Sequence, residues 1–90
     1  MPNGIAKFYL YAESMTDEDS VPIQEPLKLY EAENVYKAAQ ACIGEIPAWM
    51  QPKIDDFSDN ESWASISLGI DGKDVFFELC NIGYKDVANL

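Results

Sequence analysis

The chain predicts an α+β fold: a three- or four-stranded, mainly antiparallel sheet with one main helix packed on one face, in the order β-β-α-β-β. Three observations carry that expectation. Asp71-Gly72, a dipeptide suited to a type I′ turn, joins two runs that alternate apolar and polar residues, which is the pattern of a β-hairpin. Ala32, Val35, Tyr36, Ala39, Cys42 and Ile43 recur at spacings of three and four, the period of an amphipathic helix. Residues 5–12 alternate strictly, with Ala6, Phe8, Leu10 and Ala12 on one side and Lys7, Tyr9 and Tyr11 on the other. At 90 residues the chain is read as one domain, 1–90.

Each element follows from local chemistry. After the first strand, residues 13–26 turn polar and acidic, and Pro22 and Pro26 deny them a ladder or a helix, so a long loop is expected. Leu27-Lys28-Leu29-Tyr30 reads as a short returning strand. The helix is expected from Glu31 to Ile43, with Glu33 and Lys37 as an i,i+4 pair, Gly44 as a left-handed cap and Pro47 blocking continuation. Pro47 then starts a further helical turn that carries Trp49 and Met50 inward. Residues 55–61 read as a polar loop.

A two-residue turn at Asp71-Gly72 forces the hairpin register. Leu68 opposes Val75, Ile66 opposes Phe77 and Ala64 opposes Leu79 on one face; Ser67 opposes Phe76, Ser65 opposes Glu78 and Trp63 opposes Cys80 on the other. The first face is the more apolar, so the helix belongs there. Cys42 then points into the core and Cys80 out of the opposite face, which separates them too widely for a disulfide. Two reduced thiols and a cytoplasmic protein are the expectation, since Met1 to Ile5 lacks the basic and apolar regions of a secretory signal.

The charge balance narrows the function. Six lysines, no arginine and sixteen Asp plus Glu give a net charge of −10. Direct nucleic-acid binding and attraction to anionic membranes are disfavoured by sign, and no apolar run is long enough to span a bilayer. With no histidine, Ser-His-Asp triads and classical zinc sites are unavailable. An EF-hand reading begun at Asp56 fails, because Glu61 takes the glycine position and Ser67 that of the bidentate acid. The five glycines are scattered, so no phosphate-cradling loop exists. Glu78 is a lone acid on the outer sheet face, and Cys80 lacks the cation that would make it nucleophilic. Neither catalytic residues nor a cofactor are expected.

Two features remain. Acids concentrate at Asp17, Glu18 and Asp19 and again at Asp55, Asp56, Asp59 and Glu61, where they can steer the chain toward a basic surface. Tyr9, Tyr11, Trp63 and Phe76 share the outer sheet face with small polar residues, the composition of an interface centre. The opposing reading has the loops, or Trp49 and Met50, folding across that face as a second small core. The sequence thus points to a small acidic, non-enzymatic protein-binding module. It would act as an inhibitor or antagonist on a larger protein with a basic surface, in the manner of phage anti-defence, DNA-mimic or immunity proteins, with the acids for steering and Tyr9, Tyr11 and Trp63 as anchors. The alternative is a structural or assembly protein that forms a homodimer through the aromatic sheet face.

Overall fold

The computed structural model describes residues 4–58 and 62–88. It is an α+β fold built on a five-stranded antiparallel sheet: β1 (Ala6–Ala12), β2 (Lys28–Ala32), β3 (Lys53–Phe57), β4 (Trp63–Ile70) and β5 (Lys73–Cys80), in the spatial order β2-β1-β5-β4-β3. The main helix, α1 (Val35–Gly44), lies between β2 and β3 in sequence, and a short helix, α2 (Tyr84–Ala88), ends the described chain.

The hairpin has the register expected of it. All six pairs, from Leu68 opposite Val75 to Trp63 opposite Cys80, are present, and Asp71 and Gly72 take positive φ values of 51° and 77° as a type I′ turn requires. The helix packs on the apolar face, where Val35, Ala38, Ala39 and Cys42 meet Phe8, Tyr30, Ala64, Ile66 and Leu79. Fully burying a side chain such as Ile66 or Leu79 contributes about 2 kcal/mol. Cys42 therefore faces this core while Cys80 lies on the other side of the sheet, and both are free.

The sheet has a fifth strand where a polar loop was expected. Ile54 and Phe57 are three residues apart, which breaks the period-two signal of a strand. A register shift between Ile54 and Asp56 restores it in space: Ile54 opposes Ile66 and Phe57 opposes Ala64, so both apolar residues reach the helix side. There Phe57 packs against Tyr36, with ring centroids 5.1 Å apart. Charged residues at Lys53, Asp55 and Asp56 make this outer strand a poor template for further pairing.

The helix also begins four residues later than expected. Glu31 and Ala32 extend β2 instead, which pairs Tyr30 with Phe8 and Ala32 with Ala6. Asn34 then caps the helix, its Oδ1 accepting the Lys37 N–H at 2.8 Å. The Glu33–Lys37 pair forms at 3.1 Å although Glu33 lies outside the helix. Gly44 is the last helical residue and needs no left-handed backbone, because Glu45 N–H closes the end on the Cys42 carbonyl. In the turn after Pro47, Met50 is half-buried and Trp49 is 65% exposed, so only one of the two points inward.

Candidate binding groove

The face opposite α1 is organised in rows across the sheet. One row runs Tyr11, Glu78, Ser65, Asp56 from β1 through β5 and β4 to β3; the next runs Leu29, Tyr9, Cys80, Trp63 from β2 to β4. Aromatics, a thiol and acids thus alternate over one surface, as the hairpin register requires.

Two segments fold over this surface. The first is the connection from β1 to β2, which is far more ordered than a polar, proline-bearing loop suggests. Asp17 Oδ1 accepts the N–H groups of Asp19 and Val21, both at 2.9 Å, and the Asp17 N–H reaches the Val21 carbonyl at 2.9 Å. Thr16 and Pro22 form a bridge, and Ile23 N–H reaches the Met15 carbonyl at 3.0 Å. These bonds close a compact finger, with Ser20 in a left-handed conformation at φ 62° near its tip. The second segment is the C-terminal one. Gly83 packs so closely that a Cβ there would sit 3.2 Å from Tyr9 Cζ, and Asp86 caps the turn by accepting the Gly83 N–H at 2.9 Å.

A groove runs along the finger in two adjoining parts, the first of which lies between the finger and the C-terminal segment. One, of about 470 Å³, is lined by Asp19, Ser20, Ser62, Trp63, Ser65, Glu78, Cys80, Asn81 and Ile82. The other, of about 390 Å³, adds Glu13, Thr16, Asp17, Glu18, Phe76 and Phe77; Ser20, Ser65 and Glu78 belong to both. Among the described residues, five carboxylates, those of Glu13, Asp17, Glu18, Asp19 and Glu78, therefore edge the two parts of the groove, and no lysine lines either. Trp63, Phe76 and Ile82 supply exposed apolar walls.

Glu78 sits at the junction. Burial pushes its carboxyl above the usual glutamate range, a hydrogen bond with the Ser20 side chain opposes that shift, and the charge of Glu13 adds to it. Burial likewise pushes up the Cys80 thiol, which donates to the Ile82 carbonyl at 3.4 Å, so this sulfur is kept protonated and unreactive. Among the described residues, no group of three or more acids and thiols is arranged to hold a metal ion, and no helix is long and apolar enough to cross a membrane.

The expected site residues divide. Asp17, Glu18 and Asp19 lie exposed on the finger, and Trp63 is 37% exposed on the groove wall. Tyr9 is half-buried under Gly83. Tyr11 is completely buried, because the C-terminal segment covers it, and so it cannot act as a surface anchor. Asp55 pairs with Lys53 at 3.7 Å, and Asp56 accepts the Phe57 N–H at 2.9 Å in the same row as Glu78. Asp59 and Glu61 lie outside the described residues. Asp19 and Ser20 line the same cavity as Ser62 and Trp63, which places the finger tip beside the end of the β3–β4 connection. Residue patterning alone did not assemble Glu78, Ser20, Ser65 and Ile82 into one place. Alternation put Glu78 and Ser65 on this face, but nothing in the sequence signalled that residues 17–20 and 81–82 would wall them in.

Comparison with protein-family models, with curated proteins and with solved structures finds no match. What the chain itself defines is an α+β domain with an acid-edged, aromatic-walled groove on the sheet face opposite its helix.

Proposed function

We propose that the protein is a non-enzymatic protein-binding module, an inhibitor or antagonist that applies its acidic outer face to a basic, nucleic-acid-binding surface of a larger protein. The observation that carries this reading is the groove, whose two parts are edged by five carboxylates and three exposed apolar side chains, with no lysine among the described residues that line them. Carboxylates at the rim steer a cationic partner and set the rate of encounter, while Trp63 and Phe76 supply the desolvated contact that slows departure. Three of the six lysines are already engaged with Glu33, Glu45 and Asp55, which reduces the positive charge the chain offers elsewhere. A face of this sign and shape occupies the phosphate-binding surface of its target, as a DNA-mimic or anti-defence inhibitor does.

The test is capture from host lysate on the immobilised protein, followed by calorimetry on the purified pair. The captured protein should be basic. Its affinity should fall between about 0.1 M and about 1 M salt, as the Debye length shrinks from about 10 Å to about 3 Å. It should also fall when Asp17→Asn, Glu18→Gln and Asp19→Asn are combined. Binding indifferent to both changes overturns the reading. A salt-resistant homodimer as the only complex formed would instead favour the assembly role, which the interior position of Tyr11 leaves without a continuous aromatic face.

A further inference from the structure

We propose that the part of the groove beside Glu78 receives an arginine side chain of the bound protein, its guanidinium paired with the Glu78 carboxylate and lying against the Trp63 indole. The inference rests on the reading of the protein as a binder of a basic surface, and it specifies what that surface inserts.

The Glu78 carboxylate is partly buried on the sheet, and among the described residues the ion pairs of the chain are Lys28 with Glu45, Lys37 with Glu33 and Lys53 with Asp55, none of which involves it. A carboxylate withdrawn from water and left without a cation weakens a fold, and neutralisation by a mobile counterion is poor compensation for lost hydration. A cation brought by a partner removes that defect on binding. The cavity next to it, at about 470 Å³, has room for a long side chain, and its walls at Trp63, Cys80 and Ile82 are largely carbon.

The walls favour arginine over lysine. Trp63 is opposite Cys80 and therefore diagonal to Glu78, a separation of about 7 to 8 Å that one planar group can span between carboxylate and ring. A guanidinium is weakly hydrated, stacks on an indole face and bonds a carboxylate through two parallel N–H groups, while its remaining N–H groups need further acceptors. Ser20 and Ser65 offer hydroxyl oxygens beside Glu78, and Asp19 offers a second carboxylate at the rim. An ammonium, compact and strongly hydrated, would use the charge but not the ring. The chain has no arginine of its own to occupy the place.

The experiment titrates the full-length, isotope-labelled protein with N-acetyl-arginine amide, its lysine counterpart and the neutral citrulline counterpart, following the Trp63 indole N–H and the Glu78 side-chain carbonyl by NMR. Saturable shifts at both positions are expected with the arginine compound, weaker ones with lysine and none with citrulline. Glu78→Gln should weaken arginine binding about tenfold, the scale of one charge-assisted hydrogen-bonded contact. Shifts of equal size at all exposed carboxylates, equal binding of lysine, or an unchanged Glu78→Gln variant overturn the proposal. Should the salt-sensitive partner of the preceding test survive Glu78→Gln unaltered, the arginine pocket fails while the acidic docking face stands. If no basic partner binds but the arginine compound saturates the groove, the reverse holds.

Discussion

The backbone N–H of Tyr84 donates to the hydroxyl of Tyr11 at 2.9 Å, joining the start of α2 to the C-terminal end of β1 across the outer sheet face. Because Tyr11 is fully buried, this phenol is both a core side chain and the acceptor that fixes the C-terminal segment. Burial pushes its ionisation upward, so it stays a neutral hydroxyl through the physiological range. Tyr11→Phe keeps the ring and deletes the acceptor. It should destabilise the protein by about 1 to 2 kcal/mol in urea melts and speed exchange of the Tyr84 amide before that of the hairpin.

Glu78 should respond to substitution in the opposite sense. Its pKa is raised in the folded state, so the favourable contribution of its neutral form is complete below the ordinary glutamate pKa and is lost as pH rises through the folded value. Glu78→Gln removes the charge and so should melt higher than the parent near pH 7, with the difference closing by about pH 3, where the parent carboxyl is itself protonated. A variant less stable at neutral pH would show that Ser20 and the groove hold the carboxylate more favourably than burial penalises it.

Asp17 carries two separable duties, local structure and charge. Asp17→Asn keeps the Oδ1 acceptor for Asp19 and Val21, whereas Asp17→Ala abolishes it. The alanine variant should raise amide exchange and protease cleavage throughout residues 16–22, with a stability cost of about 1 kcal/mol, while the asparagine variant leaves both near the parent level. Charge effects on binding are accordingly to be read from asparagine.

The late start of α1 makes Asn34 the residue on which the helix depends. Asn34→Ala should cost about 1 kcal/mol in thermal or chemical denaturation, and Asn34→Asp should restore it by accepting the same Lys37 N–H and adding charge at the helix N-terminus. Glu31→Ala, at the position the periodicity alone assigned to the first turn, should change stability little, because Glu31 is an exposed residue of β2.

Much of this architecture is legible in local pattern. Period-two alternation and the Asp71-Gly72 turn specify six cross-strand pairs, because a two-residue turn allows a single register and a one-residue slip would invert both faces. The same alternation separates Cys42 from Cys80 and places Glu78 with Trp63 and Ser65. Pattern fails where geometry compensates for it. The bulge at Asp55 lets two apolar residues three apart share a face, and the pairing of Ala32 with Ala6 takes residues that propensity would have given to the helix.

The α+β class, the hairpin register, the helix-bearing face and the surplus of negative charge all follow from residues close together in the chain or from composition. Which aromatic is surface and which is core follows only from how distant segments pack. Tyr9 and Tyr11 occupy equivalent alternating positions, yet Tyr11 is sealed while Trp63 stays open, because segments from residues 13–23 and 81–88 close over the middle of the sheet and leave the groove between them. Those segments have no periodicity of their own. Their course is set by hydrogen bonds such as Tyr84 to Tyr11, formed between groups 73 residues apart, and no local pattern encodes a contact at that separation.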